Sequence, residues 1–300
     1  METLGSIQQQ FLQELSSLYD QDEIKSIFQI VLLDRLGISK AKFLLEKDKE
    51  LDAQEVHSLQ QVLVELKSAK PIQHILGKAP FYGMEFLVTE DTLIPRPETE
   101  ELVDLIVKDF QFIAKDLQSG LKNIPAGESV NLQIIDIGTG SGCIAIALQK
   151  NLSPAQTMAI DLSPEAIAVA KENALKNGVD INFRCLDILE WDVVFQEEQF
   201  DIIVSNPPYI TQDEKKEMHA NVLQFEPHSA LFVEDDAPLL FYDHISSFAR
   251  KHLKADGVLY FEINQYLAKE TQEMIFKKGF SEVWVINDLN GAPRMIKAKK

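Results

Sequence analysis

The chain has 300 residues, with 29 Lys plus Arg against 47 Asp plus Glu, a formal charge of −18 at pH 7. Apolar residues make up 45% and charged residues 25%, the balance of a globular protein, and the length suits two domains that can each bury a core. The negative charge speaks against a general phosphate-gripping field and suits a partner with a basic surface. No apolar run approaches the roughly 20 residues needed to cross a bilayer. Met1 to Gln10 is mixed polar, carries Glu2, and lacks the basic start and apolar core of a signal peptide, so a cytoplasmic location is the default expectation. Cys143 and Cys185 make no disulfide framework, and no His or Cys stands at ligand spacing from either, so no metal site is expected.

The first 80 residues read as helical. Ile7, Phe11, Leu15 and Leu18 recur at helical spacing, as do Val56, Leu59, Leu63 and Leu66. Ile24 to Leu36 is rich in apolar residues and stops at Gly37, while Pro71 is expected to end the later helix. Phe81 to Val88 has strand character, with Gly83 as a turn or bulge. Pro95-Arg96-Pro97 interrupts the backbone donors, and Glu98 to Leu117 then reads as a helix with Leu102, Leu105, Ile106 and Phe110 on one face. Lys122 to Asn131 reads as a loop.

From Leu132 short apolar strands alternate with helices. Strands are expected at Leu132–Ile137, Thr157–Ile160, Ile181–Arg184, Phe200–Ser205, Val258–Ile263, Glu282–Ile286 and Arg294–Ala298. Helices are expected at Gly142–Lys150, Pro164–Asn177, Leu239–Leu253 and Leu267–Lys278, with Ser163 as an N-cap, Gly178 past a helix end and Gly257 in a turn. Lys297, Lys299 and Lys300 read as a solvated tail. Such alternation makes a doubly wound, mainly parallel α/β sheet, whose ligands bind at the carboxyl ends of the strands.

The glycine-rich run Gly138-Thr139-Gly140-Ser141-Gly142 follows the first of these strands and opens a helix. Its G-x-G-x-G spacing differs from the dinucleotide G-x-G-x-x-G, and alone it is also compatible with a tight strand-to-helix turn. Asp161 ends the second strand, where a carboxylate is placed to take both hydroxyls of a ribose. That feature is shared by nicotinamide enzymes and by methyltransferases that use S-adenosylmethionine. Asp187 follows the third strand, either as an acceptor for an adenine amino group or as a solvated loop acid. Asp136 either contacts the amino-acid end of the cofactor or fixes the glycine loop by accepting its amides.

Ser205-Asn206-Pro207-Pro208-Tyr209 follows the fourth strand and is the sharpest feature of the chain. Two prolines stiffen the segment and leave the Asn206 and Pro207 carbonyls free to accept. Asn206 adds a side-chain acceptor and Tyr209 a flat face with a polar tip. A planar –NH2 group suits two such acceptors beside an aromatic wall. An amide or aromatic amine nitrogen is a poor nucleophile because its lone pair is delocalised, and aligned acceptors favour the pyramidal, partly positive nitrogen of a methyl-transfer transition state. Asn206, Pro207 and Tyr209 are therefore the expected catalytic residues. As a bare motif the segment is also compatible with a rigid turn leaving a buried strand.

With these features, and with Pro71 to Gly77, Phe81-Tyr82-Gly83, Leu93 to Glu100, Phe225-Glu226-Pro227 and Asp288 to Gly291, the chain resembles the protein-(glutamine-N5) methyltransferases that modify peptide chain release factors. Asn-Pro-Pro-Tyr alone is shared with adenine-N6 methyltransferases of DNA, whereas the Ile94–Glu100 block with a helical N-terminal domain is more specific. The resemblance implies a Rossmann-like, class I S-adenosylmethionine-dependent methyltransferase sheet with a small helical N-terminal domain. Residues 1–80 would be the helical substrate-recognition domain, 81–131 a linking hairpin and helix, and 132–300 the catalytic domain. It implies methyl transfer to the glutamine of the Gly-Gly-Gln loop, with Gly138, Thr139, Gly140, Ser141, Gly142, Asp161, Asp187, Ile188 and Asn206 holding the cofactor. Asn206, Pro207, Pro208 and Tyr209 would hold the glutamine. Members often carry an aromatic residue after the acid matching Asp187, where this chain has Ile188, and often an acid where it has Pro293.

Arg96 reads either as a contact to the partner, a brace for the catalytic loop, or an ion pair with Glu98 or Glu226. His74, His219 and His228 have no Ser or Cys partner at a recognisable spacing and read as structural. Two other functions compete. An adenine methyltransferase of DNA or RNA would stack a flipped base on Tyr209, against which stand the net charge and the lack of a basic, aromatic-interleaved stripe. A cofactor-binding scaffold without catalysis would have no need of the acceptor pair. The expected enzyme is a monomer that acts on a protein, with no stable hold on nucleic acid or membrane.

Overall fold

Side-chain caps set the ends of the N-terminal helices. Thr3 caps α1 (Leu4–Glu14), Asp20 caps α2 (Gln21–Leu36), and Gly37 ends α2 in the left-handed region at φ 63°. Ser39 caps α3 (Lys40–Leu45), Asp52 and Glu55 form a capping box on α4 (Ala53–Leu66), and α5 (Ile72–Leu76) follows. Each cap gives a partner to amides that a first helical turn leaves unpaired. The molecule is seen as a computed structural model that describes residues 2–119, 131–211, 214–217 and 220–300. Phe11, Phe28 and Phe43 meet edge-on, with ring centroids 5.0 and 5.6 Å apart, in a core that also holds Ile24, Leu32, Leu59 and Leu63. Two expectations need correcting here. Leu18 lies beyond α1 and is 46% exposed. Pro71 does not end the later helix: α4 stops at Leu66, and Pro71 sits at the start of α5, where a fixed φ and a missing donor do no harm.

A second unit begins at Lys78. Its β1 (Lys78–Phe81) and β2 (Met84–Leu87) pair antiparallel around Tyr82 and Gly83, both at positive φ, so Gly83 belongs to a tight turn. Then come α6 (Pro97–Ser119), β3 (Leu132–Ile137), α7 (Cys143–Asn151), β4 (Ala155–Asp161), α8 (Pro164–Asn177), β5 (Asn182–Cys185), the short α9 (Trp191–Val194) and β6 (Phe200–Ser205). Past α10 (Ala220–Phe225), which groups with the N-terminal helices, run α11 (His228–Leu231), α12 (Leu240–His252), β7 (Leu253–Glu262), α13 (Ala268–Lys277), β8 (Glu282–Asn287) and β9 (Pro293–Lys299). Ser163 caps α8 as expected, with Pro164 in the first turn and Gly178 closing it at φ 68°. The expected loop at Lys122–Asn131 lies, apart from Asn131, outside the described residues.

The seven strands of the main sheet take the order β5-β4-β3-β6-β7-β9-β8. The first five are parallel and β9 runs against both neighbours, so the expected α/β, Rossmann-like methyltransferase sheet is the one observed. Side chains alternate between two cores. Ile134, Ile202, Val204, Val258 and Tyr260 face α6 and α7 residues, while Ile135, Ile137, Ile203, Leu259 and Phe261 face α12 residues. Burial on both faces is why these strands read as near-continuous apolar runs. The chain leaves β3 in one direction and β6 in the other, which places the switch point, and hence the ligand crevice, at their carboxyl ends.

Two further expectations fail. Gly257 lies inside β7 and not in a turn. A Cβ there would come within 2.9 Å of the Phe200 carbonyl oxygen, where the β6–β7 register shifts, so the residue is glycine because of a close backbone approach. Lys297 and Lys299 belong to β9, and Lys297 pairs with Asp109 at 2.7 Å, so this segment is no solvated tail. Lys300 likewise donates to the Leu253 carbonyl at 2.8 Å. Among the described residues no helix is long and apolar enough to cross a membrane.

Candidate active site

Register brings the sequence motifs together. Ile137 of β3 pairs with Ile160 of β4 and with Ser205 of β6, so the glycine loop, Asp161 and Asn206 all leave the sheet at one level. Ser205 fixes that level by donating its hydroxyl to the Ile137 carbonyl at 2.6 Å. A cleft opens there, lined by Gly138, Gly140, Asp161, Asp187, Ile188 and Asn206 among others.

The loop is held from both ends. Gly138 and Thr139 donate their amides to the Ile160 carbonyl at 2.9 Å. The Gly140 amide donates to Asp161 Oδ2 at 2.8 Å, and Asp161 Oδ1 accepts from the Ser163 amide at 3.0 Å. Asp161 thus ties the loop to the start of α8, and burial pushes its carboxyl above the usual range. Gly138 and Gly140 sit at φ 73° and 53°, with nothing within 4 Å of a Cβ on either, so a side chain there would stand in the cleft. Asp136 is fully buried. Its Oδ2 accepts from the Thr139 hydroxyl at 2.7 Å and the Ala145 amide at 3.2 Å, while Oδ1 has no partner among the described residues. Desolvation pushes this carboxyl up to about 7. Of the two roles considered for Asp136, the fixing of the loop is the one with visible hydrogen bonds. Asp187 accepts from the Leu189 amide at 2.8 Å and lines the cleft, and Ile188 is buried beside it.

Asn206, Pro207 and Pro208 line the same cleft, and Tyr209 is not among its lining residues. Asn206 donates its side-chain amide to the Thr99 hydroxyl at 3.4 Å, and Thr99 donates to Glu262 Oε2 at 2.6 Å. Tyr209 points its hydroxyl at Glu262 Oε1, 3.4 Å away, and its carbonyl accepts from Asn264 at 3.1 Å. Burial, with Glu262 nearby, pushes the Tyr209 hydroxyl up and keeps it protonated. The far wall is clasped by an ion pair. Arg96 binds Glu226, whose other oxygen accepts from the Ile94 amide at 3.2 Å. The Glu226 side chain is 1% exposed and that of Arg96 33%, so the partner of Arg96 is Glu226 and the cation still faces the cleft. His74 is buried in the helical unit, His228 is exposed against the Phe232 ring, and His219 lies outside the described residues.

Residues 128–282 match the methyltransferase domain family, and residues 6–77 match the PrmC N-terminal domain. Over 96% of its length the chain is 49% identical to the release factor glutamine methyltransferase of Flavobacterium psychrophilum, covering 96% of that protein. The chain belongs to the release factor glutamine methyltransferase family. The Bacteroides thetaiotaomicron member is 41% identical over 96% of this chain and 97% of its own length. Among solved structures, the hMettl16 catalytic domain in complex with the MAT2A 3′UTR hairpin 6 aligns with a TM-score of 0.51 at 14% identity, covering 83% of this chain and 82% of that one. That likeness shows the fold alone.

The residues present fit the cofactor of a release factor glutamine methyltransferase. The open glycine cradle admits a ligand against main-chain amides, Asp161 and Asp187 line the cleft as acceptors for hydroxyl and amino groups, and the Asp136 oxygen left without a partner among the described residues lies next to the loop. Sequence reading missed Glu262, Asn264 and Asn173. Glu262 follows the apolar run Val258–Phe261, the same acid-after-strand signal that singled out Asp161. Asn173, in the middle of α8, carries no such signal.

Proposed function

We propose that the protein transfers a methyl group from S-adenosylmethionine to the side-chain amide nitrogen, N5, of the glutamine in the Gly-Gly-Gln loop of peptide chain release factors. The observation that carries this reading is Asn206-Pro207-Pro208 lining the same cleft as the glycine cradle and Asp161, in a chain 49% identical to a protein of that name. Gly138 to Gly142, Asp161, Asp187, Ile188 and Asn206 hold the cofactor. Bound S-adenosylmethionine supplies an electrophilic methyl group on a sulfonium, with a neutral thioether as the leaving group.

The chain supplies position and electrostatics. Asn206 Oδ1 and the Pro207 carbonyl accept the two amide hydrogens of the glutamine and favour a pyramidal nitrogen. Pro207 and Pro208 keep the acceptors fixed, so little reorganisation is needed at reaction. The alkylated nitrogen is strongly acidic and loses its surplus proton without a dedicated base. Residues 1–80 recognise the body of the release factor, with 81–131 joining them to the catalytic residues 132–300. The formal charge of −18 favours a basic protein partner over nucleic acid, and the enzyme works as a cytoplasmic monomer.

The test is mass spectrometry of unmethylated release factor after incubation with S-adenosylmethionine and the protein. One added methyl on the Gly-Gly-Gln peptide is expected, and Asn206→Ala should lower the rate by roughly 10²–10³. Cofactor binding with no gain on that peptide would overturn the reading, and methylation of adenine-containing DNA would then be measured.

A further inference from the structure

Glu262 is a costly residue for its place. It ends β7 and is 2% exposed, so its carboxyl is desolvated, offset among the described residues only by the Thr99 and Tyr209 hydroxyls and the Arg294 cation nearby. Register explains what it is next to. Ser205 of β6 pairs with Phe261 of β7, so Asn206 and Glu262 are the next residues along two adjacent parallel strands. Direct contact between their side chains is replaced by a relay. Glu262 Oε2 accepts from Thr99, and the Thr99 oxygen accepts from the Asn206 amide. The other oxygen, Oε1, faces the Tyr209 hydroxyl. One carboxylate therefore addresses both ends of Asn206–Tyr209.

The direction of the relay matters. A Thr99 hydroxyl that has given its proton to Glu262 can only accept from Asn206, so it engages the amide nitrogen. That choice settles which way the Asn206 side chain faces and leaves Oδ1 as the atom offered to a ligand. With the amide turned over, Asn206 would present a donor to the incoming –NH2 group and repel it. The backbone beneath is held separately: the Tyr242 hydroxyl donates to the Glu262 carbonyl at 3.2 Å, and Asn264 holds the Tyr209 carbonyl.

We propose that Thr99 and Glu262 are positioning residues that orient the Asn206 amide, and with it the acceptor pair that receives the substrate nitrogen. This rests on the reading of Asn206 as a glutamine-binding residue. The effect should fall more on turnover than on cofactor binding, because Thr99 and Asn206 border the cleft but the glycine loop, Asp161 and Asp187 stay in place.

The experiment compares Thr99→Val, Thr99→Ser, Glu262→Gln, Asn206→Ala and the double variant Thr99→Val/Asn206→Ala on unmethylated release factor. Cofactor affinity is measured by calorimetry and melting temperature is checked alongside. Thr99→Val keeps the shape and removes the hydroxyl, and should lower kcat by roughly 10- to 10²-fold, the cost of misplacing a reacting group by a fraction of its length. Cofactor Kd should rise by a smaller factor than kcat falls, while Thr99→Ser restores the rate. Glu262→Gln keeps an acceptor but not the charge, so kcat should fall in the same sense by less. The double variant should be no slower than Asn206→Ala, because Thr99 acts only through Asn206. A Thr99→Val enzyme at full rate beside a slow Asn206→Ala enzyme would overturn this proposal and leave the function intact. So would two defects that multiply in the double variant. Glu262→Gln at full rate would remove Glu262 from the relay. Full rate in Asn206→Ala would overturn the glutamine-binding reading and this proposal with it.

Discussion

Asn173 offers the most direct test of how the glycine loop is built. It is fully buried in α8 and uses its whole amide on backbone. Oδ1 accepts from the Leu87 amide at 2.6 Å, and Nδ2 donates to the Leu87 carbonyl and to the Ser141 carbonyl, both at 2.9 Å. One side chain thus joins the hairpin to the cradle. Asn173→Ala leaves three backbone groups without this partner, the Ser141 carbonyl buried and the two of Leu87 part-buried, and at about 0.5–1.5 kcal/mol net per bond the loss should total about 2–4 kcal/mol. Freeing the Ser141 carbonyl should also loosen the cradle and weaken cofactor binding roughly tenfold, equivalent to about 1.4 kcal/mol. Urea unfolding followed by tryptophan fluorescence is a suitable assay, since Trp191 and Trp284 both belong to the unit that contains Asn173. Calorimetry gives the cofactor Kd. Asn173→Asp sharpens the test. It keeps the acceptor for Leu87 but puts an oxygen in place of the donor that faces the Leu87 and Ser141 carbonyls, so a proton must be held to make even one of those bonds. Its folded pKa should therefore exceed the ordinary value of about 3.9, and the variant should be closest to wild type in acid and weaken as pH rises. A loss below about 1 kcal/mol in Asn173→Ala, or an Asn173→Asp variant insensitive to pH, would refute this account of the loop.

Two more outcomes follow from the carboxylates. Asp136 is pushed up to about 7 from an ordinary 3.8, so between those values the folded chain holds a proton that the unfolded chain has lost. Its contribution is full below about pH 4 and is lost as pH rises through about 7; Asp136→Asn should flatten that fall in urea midpoints, and an unchanged slope counts against it. Asp161→Ala removes the acceptor for Gly140 and Ser163 as well as a cleft carboxylate, so calorimetry should find cofactor affinity lost by tenfold or more, roughly one strong hydrogen bond, with an unchanged Kd removing Asp161 from the site.

How far the sequence carries depends on whether a feature is local. The strands at Leu132–Ile137 and Phe200–Ser205 were legible to the residue because burial on both faces makes an unbroken apolar run that polar residues end. The helix at Pro164–Asn177 was legible through Ser163, Pro164 and Gly178, which act within one turn of their own positions. The short helices α9 to α11 were missed because one or two turns give no period to detect. Gly257 misled because glycine marks a turn and a close backbone approach equally, and only the Phe200 carbonyl distinguishes them. Thr99 and Asn173 lie beyond any such reading, and the acid-after-strand signal at Glu262 does not say what the residue touches. Their roles come from partners far along the chain, which pairing of β6 with β7 and packing of α8 on β2 bring into reach.

β3, β4, β6 and β7 each carry a polar side chain at or next to the carboxyl end, and burial sorts these into different work. Asp136 on β3 is sealed off and braces the loop from beneath. Asp161 on β4 accepts backbone amides on both oxygens and also lines the cleft. Asn206 after β6 is uncharged, as an acceptor facing an –NH2 group must be if the site is to lower the barrier without a carboxylate capturing the proton. Glu262 on β7 supplies the charge one layer back, where Thr99 conveys its polarity and the glutamine never meets it. A carboxylate at Asn206 would reverse that separation. The substitution Asn206→Asp keeps an acceptor but replaces the donor to Thr99 with a second anion close to Glu262, so one of the two must take up a proton. The variant should therefore be slower than wild type by more near pH 8 than near pH 6, with rates equal at both values showing that Glu262 and Asn206 are not coupled.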